Sequence, residues 1–311
     1  APNESVRSLV LTLHSLKLPE TSIYPAFIFG LITYLFILLC NVTIVVTICL
    51  NRNLHKPMYL LLLNLEINDA MGATNLFSQL LYSIWSQDRS ISYSACLLQG
   101  FFVHLYGGAS YLILTAMAYD RYIAICCPLR YGAIMTTNNL VKIITGMWLF
   151  NFVVIIIVFI LLFPYRICHT YIADLVCYKA TLMKLLCDGI EVNNIYELFC
   201  TVFYHGLALS VVAFTYIHIL ITCVTKQSDA KIKALQTCGT HLVVFLLLEF
   251  NTLFPILAHR SGFVPGFLRR VFSIFNFIIP PLVNPLVYGL KTKEIRQKIL
   301  TYFKNKKISS F

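Results

Sequence analysis

Seven stretches of this 311-residue chain run for the length of a membrane helix with almost no charge: Phe27–Leu50, Met58–Ile84, Cys96–Ile125, Ile143–Phe163, Ile195–Val224, Leu235–Ala258 and Val271–Leu290. A helix needs about 20 largely apolar residues to cross the hydrocarbon core, and only helices or closed barrels satisfy their backbone there. Composition excludes a water-soluble alternative. The chain is 59% hydrophobic and 12% charged, against about 25% charged in an ordinary globular domain, which rules out a cytosolic enzyme. Connections are short apart from residues 164–194 and the two ends, so no separate soluble domain is expected. The expected fold is an all-α membrane protein. It has an extracellular N-terminus over 1–22, a seven-transmembrane helix bundle over 23–290, and a short amphipathic eighth helix with a cytoplasmic tail over 291–311.

The formal net charge of +11 is distributed unevenly along this pattern. With the N-terminus outside, inner segments carry 15 basic residues against three acids, and outer segments nine against seven. The remaining acids, Glu66, Asp69 and Glu249, lie inside spans. An excess of +12 inside against +2 outside orients the chain N-terminus out and C-terminus in. The basic residues form short clusters between apolar runs, with no aromatic-interleaved patch, so the partner they imply is the lipid bilayer and not nucleic acid.

Residues 1–20 lack a signal-peptide pattern, and the first span is expected to serve as the insertion signal. Asn3-Glu4-Ser5 is a glycosylation acceptor on the outer side. Cys96, Cys168, Cys177 and Cys187 fall in outer segments. Four cysteines facing an oxidising compartment imply two disulfides, for which three connectivities are open. The other seven cysteines lie in spans or at the inner face, as small buried thiols.

Polar residues inside spans are costly and mark candidate sites. Asp69 has Asn41, Ser110 and Asn284 as expected neighbours; this oxygen-rich set can hold a sodium ion or a proton, or act as a hydrogen-bond hub between helices. Asp120-Arg121-Tyr122 ends the third span, where adjacent opposite charges can neutralise one another until helices move. Asn284-Pro285-Leu286-Val287-Tyr288, after Pro280-Pro281, places kinking prolines in the seventh span. Beyond Leu290, Ile295, Ile299, Tyr302 and Phe303 recur at helical spacing opposite lysines, describing a helix lying on an anionic leaflet.

Several motifs, in order, resemble the rhodopsin-like G-protein-coupled receptors and, within them, the vertebrate olfactory receptors. They are Pro57-Met58-Tyr59, Met117-Ala118-Tyr119-Asp120-Arg121-Tyr122 through Cys126, and Pro128-Leu129-Arg130-Tyr131. Lys233-Ala234-Leu235-Gln236-Thr237-Cys238 with His241 and Pro280-Pro281 through Tyr288 complete the set, beside the three-cysteine outer loop. Tyr288 through Arg296, His104 and His259-Arg260 resemble the fish-like class I branch. The resemblance implies pairing of Cys96 with Cys177 and Cys168 with Cys187. It also implies an activation switch of Asp120, Arg121, Tyr122, Tyr216, His241, Asn284, Pro285 and Tyr288. A heterotrimeric G protein of the stimulatory, cyclic-AMP-raising kind would engage the inner face, and the location would be the plasma membrane, in sensory cilia. Two departures stand out: Ser110 replaces a frequent class I glutamate, and Glu249 stands where an aromatic is usual.

Ligands of such bundles occupy the outer half of the cavity between helices. The candidate contacts are His104, Gly107, Gly108, Cys200, Thr201, Tyr204, His205, Glu249, Asn251, Thr252 and Arg260. Gly107-Gly108 either widens the pocket or packs helices closely. Glu249 is a counter-ion for a cationic small-molecule odorant, an amine or amino acid, or it bonds internally to His104 or His205. Arg260 would anchor a ligand carboxylate. No catalytic constellation or metal-spaced set is present in the sequence. The competing assignments are a transporter or channel, and a non-olfactory metabolite receptor of the same fold.

Overall fold

The computed structural model describes residues 9–14, 18–187, 191–225, 229–261 and 264–308, with backbone alone for 229–237, 258–261, 290–291 and 303–308. Five of the expected spans fall within one long helix each, α1 (Glu20–Leu50), α2 (Pro57–Ser86), α3 (Tyr93–Cys126), α5 (Glu191–Thr225) and α6 (Asp229–Ser261), and the fourth, expected to reach Phe163, is carried by α4 (Thr137–Ile160), which ends three residues earlier. The seventh is divided into α7 (Gly266–Phe275) and α8 (Ile279–Lys291), and α9 (Lys293–Ile308) follows. Local chemistry sets the starts. Pro57 opens α2, where its missing N–H costs nothing. Ser92 and Thr136 cap α3 and α4 by accepting from the backbone N–H of Ala95 and Asn139.

By length and apolar content, six helical stretches among the described residues can cross a membrane. α2 is not one of them, although its 30 residues are long enough. It carries Glu66, Asn68 and Asp69 on a fully buried face, between neighbours that hide them from lipid. α1 shows the opposite pattern, with Phe29, Ile32 and Leu39 exposed by 60% or more, as a lipid-facing surface requires.

The division of the seventh span follows from its prolines. Pro280 and Pro281 donate no backbone N–H and clash with the turn before them, so the helix breaks across 276–278. The carbonyl of Asn276, four residues before Pro280, accepts a bond from the Tyr106 hydroxyl at 3.1 Å. Pro285 likewise leaves the Pro281 carbonyl without its usual donor, and the Asn41 amide of α1 supplies one at 2.8 Å. Side chains of α1 and α3 thus replace the bonds that proline removes from α8.

One feature escapes the helical pattern. Strand β1 (Val10–Leu13) pairs antiparallel with β2 (Ser90–Ser92) and parallel with β3 (Tyr171–Ile172), in the order β2-β1-β3. Leu11 and Leu13 bury themselves beside Ile91, Cys96, Ile172 and Cys177. The disulfides Cys96–Cys177 and Cys168–Cys187, the pairing implied by the resemblance, clip the outer loop above the bundle. Asn3 lies outside the described residues.

Gly72 of α2 sets how closely Tyr106 can approach, because a Cβ there would sit 2.5–2.8 Å from the phenol ring. We expect Gly72→Ala to cost about 1–3 kcal/mol through overpacking and to lower the thermal midpoint of detergent-purified protein. Gly146→Ala, whose Cβ meets nothing within 4 Å, is the neutral control.

Candidate functional site

A cavity of about 690 Å³ opens in the outer half of the bundle, between α3, α4, α5, α6, the outer loop and the α7–α8 break. Eight expected ligand residues line it: His104, Gly107, Gly108, Cys200, Thr201, Tyr204, His205 and Thr252. Glu249 and Asn251 are not on its wall. Asn251 bonds the Leu247 carbonyl of its own helix. The side chain of Arg260 lies outside the described residues.

Glu249 stands behind the wall. Its Oε2 is 2.7 Å from His205 Nδ1, both side chains are buried, and Oε1 has no hydrogen-bond partner. Of the two alternatives read from the sequence for Glu249, direct ligand contact or an internal bond, the structure has the bond to His205, in a dyad whose His205 faces the cavity while Glu249 backs it. The Tyr111 ring meets His205 edge-on at 4.6 Å, and the Tyr111 hydroxyl bonds Thr252. His104 Nδ1 donates to the Gly100 carbonyl at 2.9 Å; neutral imidazole then has Nε2 as an acceptor.

The two adjacent glycines separate cleanly. A Cβ on Gly107 meets nothing within 4 Å, so its absence opens space. A Cβ on Gly108 would collide with Asn151 Oδ1, the atom that accepts from the Tyr204 hydroxyl. Sequence reasoning missed the α4 wall of Val154, Ile155 and Val158, and the rim residues Tyr178, Lys184 and Glu197. It also missed Lys179, which is fully buried next to the cavity-lining Tyr178 and Ala180 and donates from Nζ to the Asn193 carbonyl at 2.9 Å. Burial holds this outer-loop ammonium below the ordinary lysine pKa.

In the lower bundle, Asp69 Oδ2 accepts from Asn284 at 2.6 Å. Ser110 bonds Asn68 and the Tyr106 carbonyl, and so does not turn toward Asp69 as expected. Asp69 Oδ1, Asn284 Oδ1 and both Glu66 oxygens are buried without partners, an oxygen-only set suited to a proton or a hard cation such as sodium. At the inner end, the expected Asp120–Arg121 pair is absent among the described residues. Asp120 instead accepts from Tyr131 at 2.9 Å, whose phenol pKa is pushed up by burial and by that carboxylate. Arg121 Nε and the Tyr288 hydroxyl are buried and unpartnered. Tyr216 donates to the Cys238 carbonyl and meets His241 Nδ1, both at 2.8 Å, tying α5 to α6. Tyr122 packs outward on Phe214 and His218.

A family model described as olfactory receptor matches residues 29–306. Human olfactory receptor 52J3 is 34% identical over 276 residues, covering 88% of each chain. Human olfactory receptor 51B5 is 34% identical over 286 residues, covering 91% of this chain and 92% of its own. Human olfactory receptor 52B6 reaches 36% over 256 residues, 81% and 76% of the two chains. The chain belongs to the olfactory receptor family. It is a rhodopsin-like G-protein-coupled receptor of the plasma membrane, multi-pass and not an enzyme, and the transporter or channel assignment is not favoured. Its ligands are odorants and its transducer a G protein.

The glycine pair gives a test of the receptor's cavity. Gly107→Ala should keep normal surface display and shift agonist preference toward smaller odorants. Gly108→Ala should lower surface display by severalfold, since it breaks the Asn151–Tyr204 contact at a cost of about 1–3 kcal/mol. Flow cytometry and a dose series over odorant chain length read both.

Proposed function

We propose that this odorant receptor detects small amines and signals through a stimulatory G protein that raises cyclic AMP. The observation that carries this reading is the His205–Glu249 dyad at the inner end of the cavity. With a neutral imidazole the dyad carries one negative charge, and with imidazolium it carries none. Where the imidazole is neutral and Glu249 ionised the dyad is negative, and that state favours a ligand cation over an anion. In the neutral state, Nδ1 donates to Glu249 and Nε2 accepts, which suits an ammonium N–H. The second acceptor, on His104, acts in the same sense. Tyr111 and Thr252 are already bonded to one another, and the α4 wall is apolar, so the part of the ligand beside that wall is hydrocarbon.

Signalling is a shift of population, with no covalent step. The ligand touches α3, α5 and α6, and the tie it meets, His205–Glu249, joins α5 to α6. The state that engages the G protein is the one in which the inner end of α6 has left α5. That motion breaks Tyr216–His241 and frees Tyr216 for Arg121, whose Nε is buried without a partner. Class I membership and residence in sensory cilia belong to the same reading.

The test uses cells displaying the receptor with a cyclic-AMP reporter. Hexylamine should activate and hexanol should not. Glu249→Gln should raise the half-maximal amine concentration about tenfold or more, as expected for removing one member of a buried charge pair. An unchanged amine response at normal surface level overturns the proposal.

A further inference from the structure

We propose that a groove between the outer halves of α2 and α3 binds a membrane sterol, with the sterol hydroxyl at Gln79 and Asn75 and its rings lying along α2. The groove has a volume of about 550 Å³, within the usual range of small-molecule sites. It shares no lining residue with the odorant cavity. Ala95, Leu98, Gln99 and Phe102 line the groove, whereas His104, Gly107 and Tyr111 line the cavity. At about 100° per residue these two sets point to opposite sides of α3.

Two rows of α2 side chains form one wall, each at the four-residue spacing that stacks neighbours on a helix. Ala70, Thr74 and Ser78 are the small row, and both hydroxyls turn back to their own helix, on the Ala70 and Asn75 carbonyls. Met71, Asn75 and Gln79 are the long row, apolar at its inner end and amide-bearing further out. Asn75 is held by a reciprocal pair with α3: its Nδ2 donates to the Gln99 carbonyl at 3.1 Å, and Gln99 Nε2 donates to the Asn75 carbonyl at 3.3 Å. Gln99 Oε1 in turn accepts from the Cys177 N–H at 2.9 Å. Two amide groups keep unused capacity among the described residues. Gln79 Oε1 accepts no hydrogen bond, and Asn75 Nδ2 has a second N–H without an acceptor. Neither atom is sealed in the protein interior.

Both groups lie within a membrane span, where an unmade hydrogen bond is costly and water does not supply the partner. The occupant must donate one hydrogen bond and accept another, as a hydroxyl does. Phosphatidylcholine has no N–H or O–H to give. No charged side chain lines the groove, so an ionic headgroup gains nothing there. α2 runs outward from Pro57 to Ser86, which places the amides toward the outer surface and Met71 toward the bilayer midplane. That order matches an outer-leaflet molecule with its hydroxyl up and its apolar body down. Met71 and Gln79 are eight residues apart, or about 12 Å at 1.5 Å per residue. Over that length the small row of α2 and Ala95 of α3 leave a flat floor, flanked by Leu98 and Phe102. A rigid ring system covers such a floor without the loss of rotamer freedom that a flexible chain undergoes. A neutral, rigid, apolar body ending in one hydroxyl is the chemistry of a sterol.

The test uses the purified full-length receptor in phosphatidylcholine nanodiscs and a photoreactive cholesterol that keeps its 3β-hydroxyl, with labelled peptides mapped by mass spectrometry. Label should fall within residues 70–79 or 91–102. Cholesterol should compete for that label at about fivefold lower concentration than its methyl ether, as expected for one net hydrogen bond. Gln79→Met, which keeps the side-chain length and removes the acceptor, should bring that ratio close to one. Ala95→Leu, which fills the groove, should remove the label there. The proposal is overturned if label falls only elsewhere, if the methyl ether competes as well as cholesterol, or if the ratio survives Gln79→Met. It is overturned equally if a ceramide competes better than cholesterol, which would make the occupant an amide-bearing lipid. The comparison of cholesterol with its ether on the unmutated receptor stands even where a variant fails to fold. No amine enters the experiment, so its outcome is independent of the amine reading above.

Discussion

The structure depends on keeping backbone hydrogen bonds satisfied where no water can reach them. In lipid an orphaned carbonyl costs several kcal/mol, and the seventh span carries three prolines that each remove a donor. Tyr106 of α3 and Asn41 of α1 supply two of the missing donors, to Asn276 and Pro281. Proline therefore makes α8 reliant on its neighbours, and the same region holds Asn284 against Asp69. A kinked helix elsewhere would be a local defect. Here the repairs pin the element to two other helices and fix where the lower polar cluster forms.

Polar groups sort by the same rule. Lipid-facing positions of α1 are apolar, while α2 buries an acidic and amide-bearing stripe and loses the character of a membrane helix when judged alone. What hides that stripe is α1, α3 and α8 around it, so α2 is stable in the bilayer only as part of the bundle. Glu66 is the extreme case, with two buried oxygens and no bond to either. Its charge would be poorly tolerated unless a proton or cation accompanies it.

The helices were legible in the sequence because a run of about 20 apolar residues has few other uses, and the acids inside the runs were legible because they are expensive there. The pairs they form were legible only in part: Asn284 stood among the expected neighbours of Asp69 and does bond it, whereas Ser110 does not, and His205 was one of several partners open to Glu249. Glu249 marked itself as unusual, but its choice of His205 over a ligand depends on the rotation of α5 against α6. Gly107 and Gly108 are the same residue, yet about 100° of helical rotation sends one into open space and the other against Asn151. Tyr131 takes Asp120 from Arg121 because the turn after α3 folds back beneath it. Lys179 gave no signal, since a lysine in an outer loop is ordinarily solvated. The strand β1 is only four residues long, too short for alternation to be distinguished from chance.

Two ties join α5 to α6, and their order along the membrane normal matters. His205–Glu249 lies in the outer half and Tyr216–His241 about three turns of α5 further in. α6 is continuous from Asp229 to Ser261, so the helix that bears both Glu249 and His241 moves as one body. On the proposed reading, an ammonium that draws on Glu249 would change the balance of forces at the upper tie, and a rigid helix would convert that into a tilt at the lower one. The lower tie has a competitor beside it in the half-buried Arg121, whose Nε is buried without a partner. Packed interfaces of this kind hold one arrangement or another and not a continuum between them. A small change in the outer half is then sufficient to choose which partner Tyr216 keeps.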